Sequence, residues 1–487
     1  MSRPHILNCA LGSCRPLAVT LAALLLSAPS FAAPALPRLR VAPDGRGFVT
    51  AAGEPFVPFG INYYRPGTGW APQVWKQFDP DATRRDFARL RELGGNCVRV
   101  FLTYGSFYSQ PGRLDEDGLR KLDTFLDLAA EQGIYVHPTG PDHWEGLPDW
   151  ARTDRIADEK VLVALEDFWR LLANHLRDRT NVFAYDLLNE PEVGWDTPAL
   201  RARWNGWLTA KYAGQAALTN AWRRADVPVL GEIPPPPRED ALLDPRLLDY
   251  QHFREDVADE WTRRQVAAIK RAAPDALVTV GLIQWSVPVV LAHVGQYAAF
   301  RPSRQAPLLD FVTFHFYPLE SGAYLYGGPE AEFRNLAYLD CVARECARFG
   351  KPLLVGEFGW HGGGSPRAFR NAPPATEEQQ ARWCRLLIER TRGLATGWLN
   401  WGFHDQPEAR DVSEFTGLLK ADGTLKAWGR EFQRLAGEVR QPAPAVPAAT
   451  NHPALDWDRL ITSRRAVDEF RAAWIAADRP RDARTND

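Results

Sequence analysis

The sequence predicts an α/β fold: a (β/α)8 TIM barrel with an N-terminal hairpin and a helical insertion after the fourth strand. Three observations carry that expectation. Short apolar runs suited to buried parallel strands recur eight times. Amphipathic helical patterns separate them, the alternation that a parallel α/β fold requires. No G-x-G-x-x-G follows an early strand, so the main signal for a doubly wound open sheet is missing.

The elements follow in order. Arg3 and Arg15 precede the apolar run Leu17–Ala28, and Ser30-Phe31-Ala32 offers a small-x-small cleavage site, so residues 1–32 read as a signal peptide and the chain as secreted or periplasmic. The run is too short for a membrane anchor. From Leu39 to Phe59, turns at Pro43-Asp44-Gly45-Arg46 and Ala52-Gly53-Glu54 predict a short hairpin. The barrel strands are expected at Val57–Tyr63, Cys97–Leu102, Ile134–Pro138, Val182–Leu188, Leu277–Leu282, Phe311–Phe316, Leu353–Phe358 and Gly397–Phe403. Helices are expected at Asp81–Leu93, Leu119–Gln132, Asp158–Arg179, Leu200–Lys211, Asp244–Ala273, Glu330–Phe349, Thr376–Arg392 and Leu425–Glu438. In the first, Phe87, Leu90 and Leu93 share a face and Gly94-Gly95 ends it. Residues 195–243 form the insertion. The catalytic domain is therefore 33–440, and 441–487 reads as a Pro/Ala-rich linker with a short helical tail carrying Val467, Phe470 and Trp474.

Composition narrows the function classes. The chain is 45% hydrophobic and 24% charged, with a formal net charge of −2. Removing residues 1–32 leaves 56 basic against 60 acidic side chains, which calls for neither nucleic acid nor a membrane in the mature form. Cys97, Cys341, Cys346 and Cys384 show no C-x-x-C spacing, so buried thiols with at most one bridge are expected. No H-E-x-x-H or clustered histidines suggest a metal, and no cofactor is expected.

In a parallel barrel the strand C-termini form the active face. On the second strand Val98, Val100 and Leu102 suit packing under helices, which turns Arg99 inward. A buried guanidinium there implies a carboxylate partner, either a structural ion pair or a functional one. The apolar fourth strand closes on Asn189-Glu190-Pro191, and Pro191 biases Glu190 to an extended backbone at the strand tip. The sixth closes on His315-Phe316-Tyr317, the seventh on Gly356-Glu357-Phe358-Gly359, and the eighth carries Trp401. Singly, His315 and Tyr317 are better read as satisfied core polar groups. Two glutamates across one barrel mouth can flank a single bond, the arrangement glycoside hydrolysis needs. Arg99 and Tyr317 would hold Glu357 ionised, whereas the less compensated Glu190 would keep its proton. Eighteen tryptophans include several in active-side loops, a belt suited to the apolar faces of sugars, with loop packing as the alternative for most.

With these residues in view, the sequence resembles glycoside hydrolase clan A and, within it, family 5, the cellulase and β-mannanase family. The matching elements are Phe59-Gly60-Ile61-Asn62-Tyr63-Tyr64, Asn96 to Phe101 with Arg99, Asn189-Glu190-Pro191, His315-Phe316-Tyr317, Gly356–Gly359 and Trp401, over about residues 40–437. The resemblance implies a retaining enzyme acting on a β-linked carbohydrate substrate, with Glu190 as acid/base and Glu357 as nucleophile. It implies further that Asn189 binds the sugar 2-hydroxyl, that Arg99, His315 and Tyr317 orient the pair, and that Trp401 floors the site. His143, Trp144 and Trp360 are further candidates for sugar contact. The 195–243 insertion looks like a feature of family 42 β-galactosidases. A metal-dependent hydrolase and a non-catalytic carbohydrate-binding barrel are the competing classes; the second would lack one of the two glutamates.

Overall fold

The computed structural model describes residues 36–68, 71–320, 322, 324–367, 373–443 and 451–479. The expected signal peptide and residues 444–450 of the expected linker lie outside them. Eleven strands are described. β1 (Leu39–Val41), β2 (Phe48–Thr50) and β3 (Pro55–Phe56) make a small antiparallel sheet, one strand more than the expected hairpin. The other eight close a parallel barrel in chain order: β4 (Phe59–Asn62), β5 (Cys97–Thr103), β6 (Tyr135–Asp142), β7 (Tyr185–Asn189), β8 (Val278–Leu282), β9 (Val312–Phe316), β10 (Leu353–Phe358) and β11 (Gly397–Trp401).

Every residue of β4, β5, β6, β8, β9, β10 and β11 is buried, as strands covered on both faces must be. The largest boundary difference is in β6, which runs on to Asp142 rather than stopping at Pro138. The backbone stays extended past Pro138 because a proline is compatible with φ near −65° and costs a strand only a donor.

Helices follow the strands. Pro80–Glu92 begins at Asp79, whose side chain accepts from the Ala82 N–H, and Glu377–Thr391 begins with a capping box between Thr376 and Gln379. The insertion folds as two helices, Pro198–Lys211 and the unexpected Gln215–Trp222. Trp204 stacks on Trp207 and Trp222 within the insertion and docks it on Pro245–Ala272 against Tyr250 (5.0 Å) and Phe253 (5.4 Å), while Asp249 accepts from Lys211, Tyr212 and Trp222. No described helix is long and apolar enough to cross a membrane. Cys97, Cys341, Cys346 and Cys384 are buried free thiols.

The two barrel ends differ. At the N-terminal end the small sheet inserts Phe48 edge-on against Phe183 (4.9 Å) and Phe311 (5.1 Å), within a cluster that includes Leu39, Cys97, Tyr135, Leu277, Leu354 and Leu399. At the other end the register aligns Asn62 with Arg99, Asn189 with Gly281, and His315 with Glu357. That ring of polar residues builds the site.

Candidate active site

Arg99 is the hub. It is fully buried, and each of its five donors has an acceptor. Nε and Nη2 reach Asp186 Oδ2 (2.9 and 2.8 Å), Nη2 also reaches Asn189 Oδ1 (2.9 Å), and Nη1 reaches Asn62 Oδ1 (2.8 Å) and Glu357 Oε1 (2.5 Å). The carboxylate partner that a buried arginine demands is thus two carboxylates, Asp186 at the inner side and Glu357 at the mouth. Asp186 is held in turn by Thr139 Oγ1 (3.1 Å) and the Gly281 N–H (2.7 Å). Asn62, whose Nδ2 donates to the Gly356 carbonyl (2.9 Å), and Asp186 were not singled out by sequence reasoning. The available signal was an acid in an otherwise apolar fourth strand, facing an arginine in the second.

Glu357 receives a second donor, the Tyr317 hydroxyl, at Oε2 (2.9 Å). Tyr317 is pinned by Gln284, which accepts from its N–H (2.7 Å) and donates to its carbonyl (3.1 Å). His315 Nδ1 lies 3.0 Å from Glu190 Oε1 and 3.6 Å from Glu357 Oε2. Burial holds the imidazole neutral, with its pKa lowered to about 4. Gly281 and Gly356 make room for the ring: a Cβ at Gly281 would stand 2.8 Å from Nε2, and one at Gly356 would meet Thr313 at 2.4 Å and Nε2 at 3.2 Å.

The backbone of Glu190 departs from expectation. It is not extended but left-handed, with φ of 47°. A following proline excludes the α region without choosing between the alternatives, and here the surroundings choose. The Glu190 N–H continues the ladder to the Gly281 carbonyl (2.9 Å), and Asn189 before it is anchored to Arg99. Such a conformation costs about 1–3 kcal/mol and persists where neighbours over-determine it.

The carboxyls are electrostatically unequal. Glu190, a quarter exposed at its side chain, is pushed up to about 7, chiefly by desolvation; Arg99 pulls the other way, and Glu192 and Asp142 add to the rise. Burial also raises Glu357, while His315 and Arg99 counter it. Two acids this close retain one proton between them into the neutral range. The guanidinium and phenol bear directly on Glu357, so that proton rests on Glu190.

Trp401 packs against Tyr64 (5.1 Å) and Phe101 (5.8 Å), with its indole N–H on Ser413 Oγ (2.6 Å); Trp144 and Tyr317 border the same cluster. His143 is half exposed, stacked on Trp144 (5.1 Å) and tied to Asp142 (2.9 Å). Trp360 is not brought to the surface of the site: only 2% exposed, it packs the loop core, because the chain turns inward after Gly359 towards Gln380, which donates to its carbonyl. Trp285, one of the active-side loop tryptophans expected from the sequence, is partly exposed, and its indole N–H donates to Glu192, two residues beyond Glu190.

Among the described residues, two groups offer metal-ligand atoms within 4.8 Å of one another: Glu190, His315 and Glu357, and Asp340, His452 and Asp478. Arginine already stands in the cation's place in both, Arg99 beside Glu357 and Arg390 between Asp340 and Asp478.

Among known proteins, the chain has 30% identity over 148 residues with a β-xylosidase of Phanerodontia chrysosporium, covering 27% of this chain and 28% of the relative. It has 27% identity over 181 residues with mannan endo-1,4-β-mannosidase A of Emericella nidulans, covering 32% and 47%. The matched stretches therefore span less than half of these relatives. The exo-β-1,4-mannosidase Op5Man5 from Opitutaceae bacterium strain TAV5 shares the fold, with a TM-score of 0.58 at 22% identity, over 82% of this chain and 62% of that one. The model of the cellulase family, glycosyl hydrolase family 5, matches residues 49–406 and so takes in all eight barrel strands, together with the arginine hub and both glutamates. On that match this chain belongs to glycosyl hydrolase family 5.

Proposed function

We propose that the protein hydrolyses β-glycosidic bonds with retention of configuration, with Glu357 as nucleophile and Glu190 as acid/base. The observation that carries this reading is the spacing of two unlike carboxyls: oxygens of Glu190 and Glu357 lie within 4.8 Å. Retaining enzymes hold their carboxyl groups about 5–5.5 Å apart, whereas inverting ones leave about 6.5–9.5 Å for a water. In the first step Glu190 gives its proton to the glycosidic oxygen while Glu357 attacks the anomeric carbon, forming a glycosyl ester. In the second, ionised Glu190 takes a proton from water, which displaces Glu357 and frees the sugar. Asn189 has its Oδ1 engaged by Arg99, which leaves its amide N–H groups for the sugar 2-hydroxyl; Trp401 offers an apolar platform beneath the ring.

The substrate is a β-linked polysaccharide or its oligosaccharides, with β-1,4-mannan first and β-glucan second. The support is the family and two relatives named for β-1,4-mannoside cleavage. A second reading, exo action on a β-galactoside, rests on the helical insertion after β7, which is expected to wall one end of the site. The residues 1–32 are proposed as a cleaved export signal, which N-terminal sequencing of secreted protein beginning at Ala33 would support.

A 2-fluoro β-glycoside tests the mechanism: peptide mapping is expected to find the sugar on Glu357, and a label on any other residue overturns the assignment. Product length tests the substrate. A ladder of manno- or gluco-oligosaccharides supports internal cleavage of polysaccharide; release of galactose alone replaces that reading with the exo-galactosidase.

A further inference from the structure

The C-terminal tail reaches the loop that carries Tyr317. That loop leaves β9 through Pro318 and Leu319 to Glu320, whose side chain is completely buried. A buried carboxylate costs several kcal/mol unless it is paired. One partner is local: Arg334, on the Pro329–Ala347 helix that follows, reaches Glu320 Oε1 at 2.8 Å, and neighbouring Asn335 accepts from the Glu320 N–H at 3.1 Å. The other comes from far along the chain. Arg471, on the Arg464–Asp478 helix, places Nε 3.2 Å from the same oxygen, and its side chain is only 18% exposed.

The tail is fastened on both sides of this contact. Upstream, the Ile461 carbonyl accepts from Gln251 (2.7 Å), Thr462 receives the Ala241 and Leu243 N–H groups (3.1 Å each), and Arg301 stacks over Trp457 (4.2 Å). Downstream, Asp478 binds Arg390. The helix thus delivers Arg471 to a fixed point three residues from the phenol that hydrogen-bonds the nucleophile.

We propose that Arg471 is a positioning residue of the active site: through Glu320 it sets the loop that aims the Tyr317 hydroxyl at Glu357. Gln284 clamps the Tyr317 backbone from the β8 side, and the Glu320 ion pair holds the same loop from the other. Removing one anchor lets the phenol drift from Oε2, so Glu357 loses a donor that favours its ionised form.

The inference rests on the proposed roles of Glu357 and Tyr317, and its test separates the two. On an aryl β-glycoside that the intact enzyme turns over, Arg471→Met is expected to lower kcat roughly tenfold with KM changed far less, and Arg471→Lys to restore part of the loss. The acid limb of the pH profile should move to higher pH. Glu320→Gln, which keeps the shape and removes the charge, should act in the same direction and guards against a misfolded Met variant. In Tyr317→Phe background either change should cost little more, since the group it positions is gone. A crystal structure of Arg471→Met should show the Tyr317–Glu357 contact lengthened from 2.9 Å. Wild-type kcat and acid limb in Arg471→Met, or a loss that adds in full to that of Tyr317→Phe, overturns the proposal while leaving the catalytic pair in place. An intact enzyme inactive on every glycoside overturns the functional reading, and an unchanged Tyr317–Glu357 contact in the crystal then removes the positioning role of Arg471 as well.

Discussion

The floor and the mouth of this barrel are built from the same eight strands a few residues apart, yet they handle polarity in opposite ways. At the floor, Phe48 stands edge-on to Phe183 and Phe311, which are tilted against each other, within a wholly apolar contact. At the mouth, Arg99 donates five hydrogen bonds to oxygens of Asn62, Asp186, Asn189 and Glu357, Glu190 sits in a left-handed conformation, and two carboxyls are pushed above their ordinary range. Between them lies His137, buried, neutral and bonded to the Ala184 carbonyl (2.7 Å). The difference teaches that a barrel can concentrate stability at one end and reactivity at the other, because successive layers of inward residues are chosen independently.

The strongest way to break that division is at Asp186, which serves both. Asp186→Asn leaves the buried guanidinium of Arg99 short of a charge, and should cost about 3–5 kcal/mol in denaturant unfolding. It should also slow turnover, since Arg99 loses the anchor that aims it at Glu357; a variant stable but slow, or unstable but fully active, would separate what the geometry joins. At the floor the two effects should part. Phe48→Ala is expected to cost about 3 kcal/mol of stability, with kcat/KM of the folded enzyme unchanged; a large loss of kcat would show that the floor communicates with the mouth. The smallest effect concerns pH alone. On the proposed roles activity needs Glu357 ionised and Glu190 protonated, so it should rise through the former and fall as pH passes about 7 through the latter. Glu192→Gln removes a nearby negative charge that favours the protonated form, and should move the alkaline limb to lower pH. An unmoved limb would mean that desolvation alone sets it.

Much of this was legible in the residues because buried parallel strands are written as apolar runs. β10 coincides with its expected bounds, and the other barrel strands overlap theirs. Glu190, Glu357 and Arg99 stood out as charges interrupting such runs. What stayed hidden depends on contacts made in three dimensions. Trp401 and Trp360, near the ends of consecutive strands, are both buried, yet Trp401 joins Tyr64 and Phe101 in the small cluster at the mouth while Trp360 packs into the main core. The left-handed turn at Glu190 is imposed by the Gly281 carbonyl and by Arg99, neither of them near in sequence. The ion pair of Arg471 with Glu320 joins residues that no local pattern relates.

The sheet under the barrel has a consequence for the order of assembly. Phe48 belongs to the earliest part of the described chain, but its partners are Phe183 and Phe311, and its cluster extends to Leu354 and Leu399. Contacts of such sequence separation form late, after loop closure has been met elsewhere. The segment made first must therefore wait, apolar and unpartnered, until the last strand closes the ring. During that interval β2 can pair locally with β1 and β3, but the apolar face that carries Phe48 has nothing to cover it. The bottom seal therefore cannot close before the chain has been made through Leu399, an order that would suit the export proposed for it.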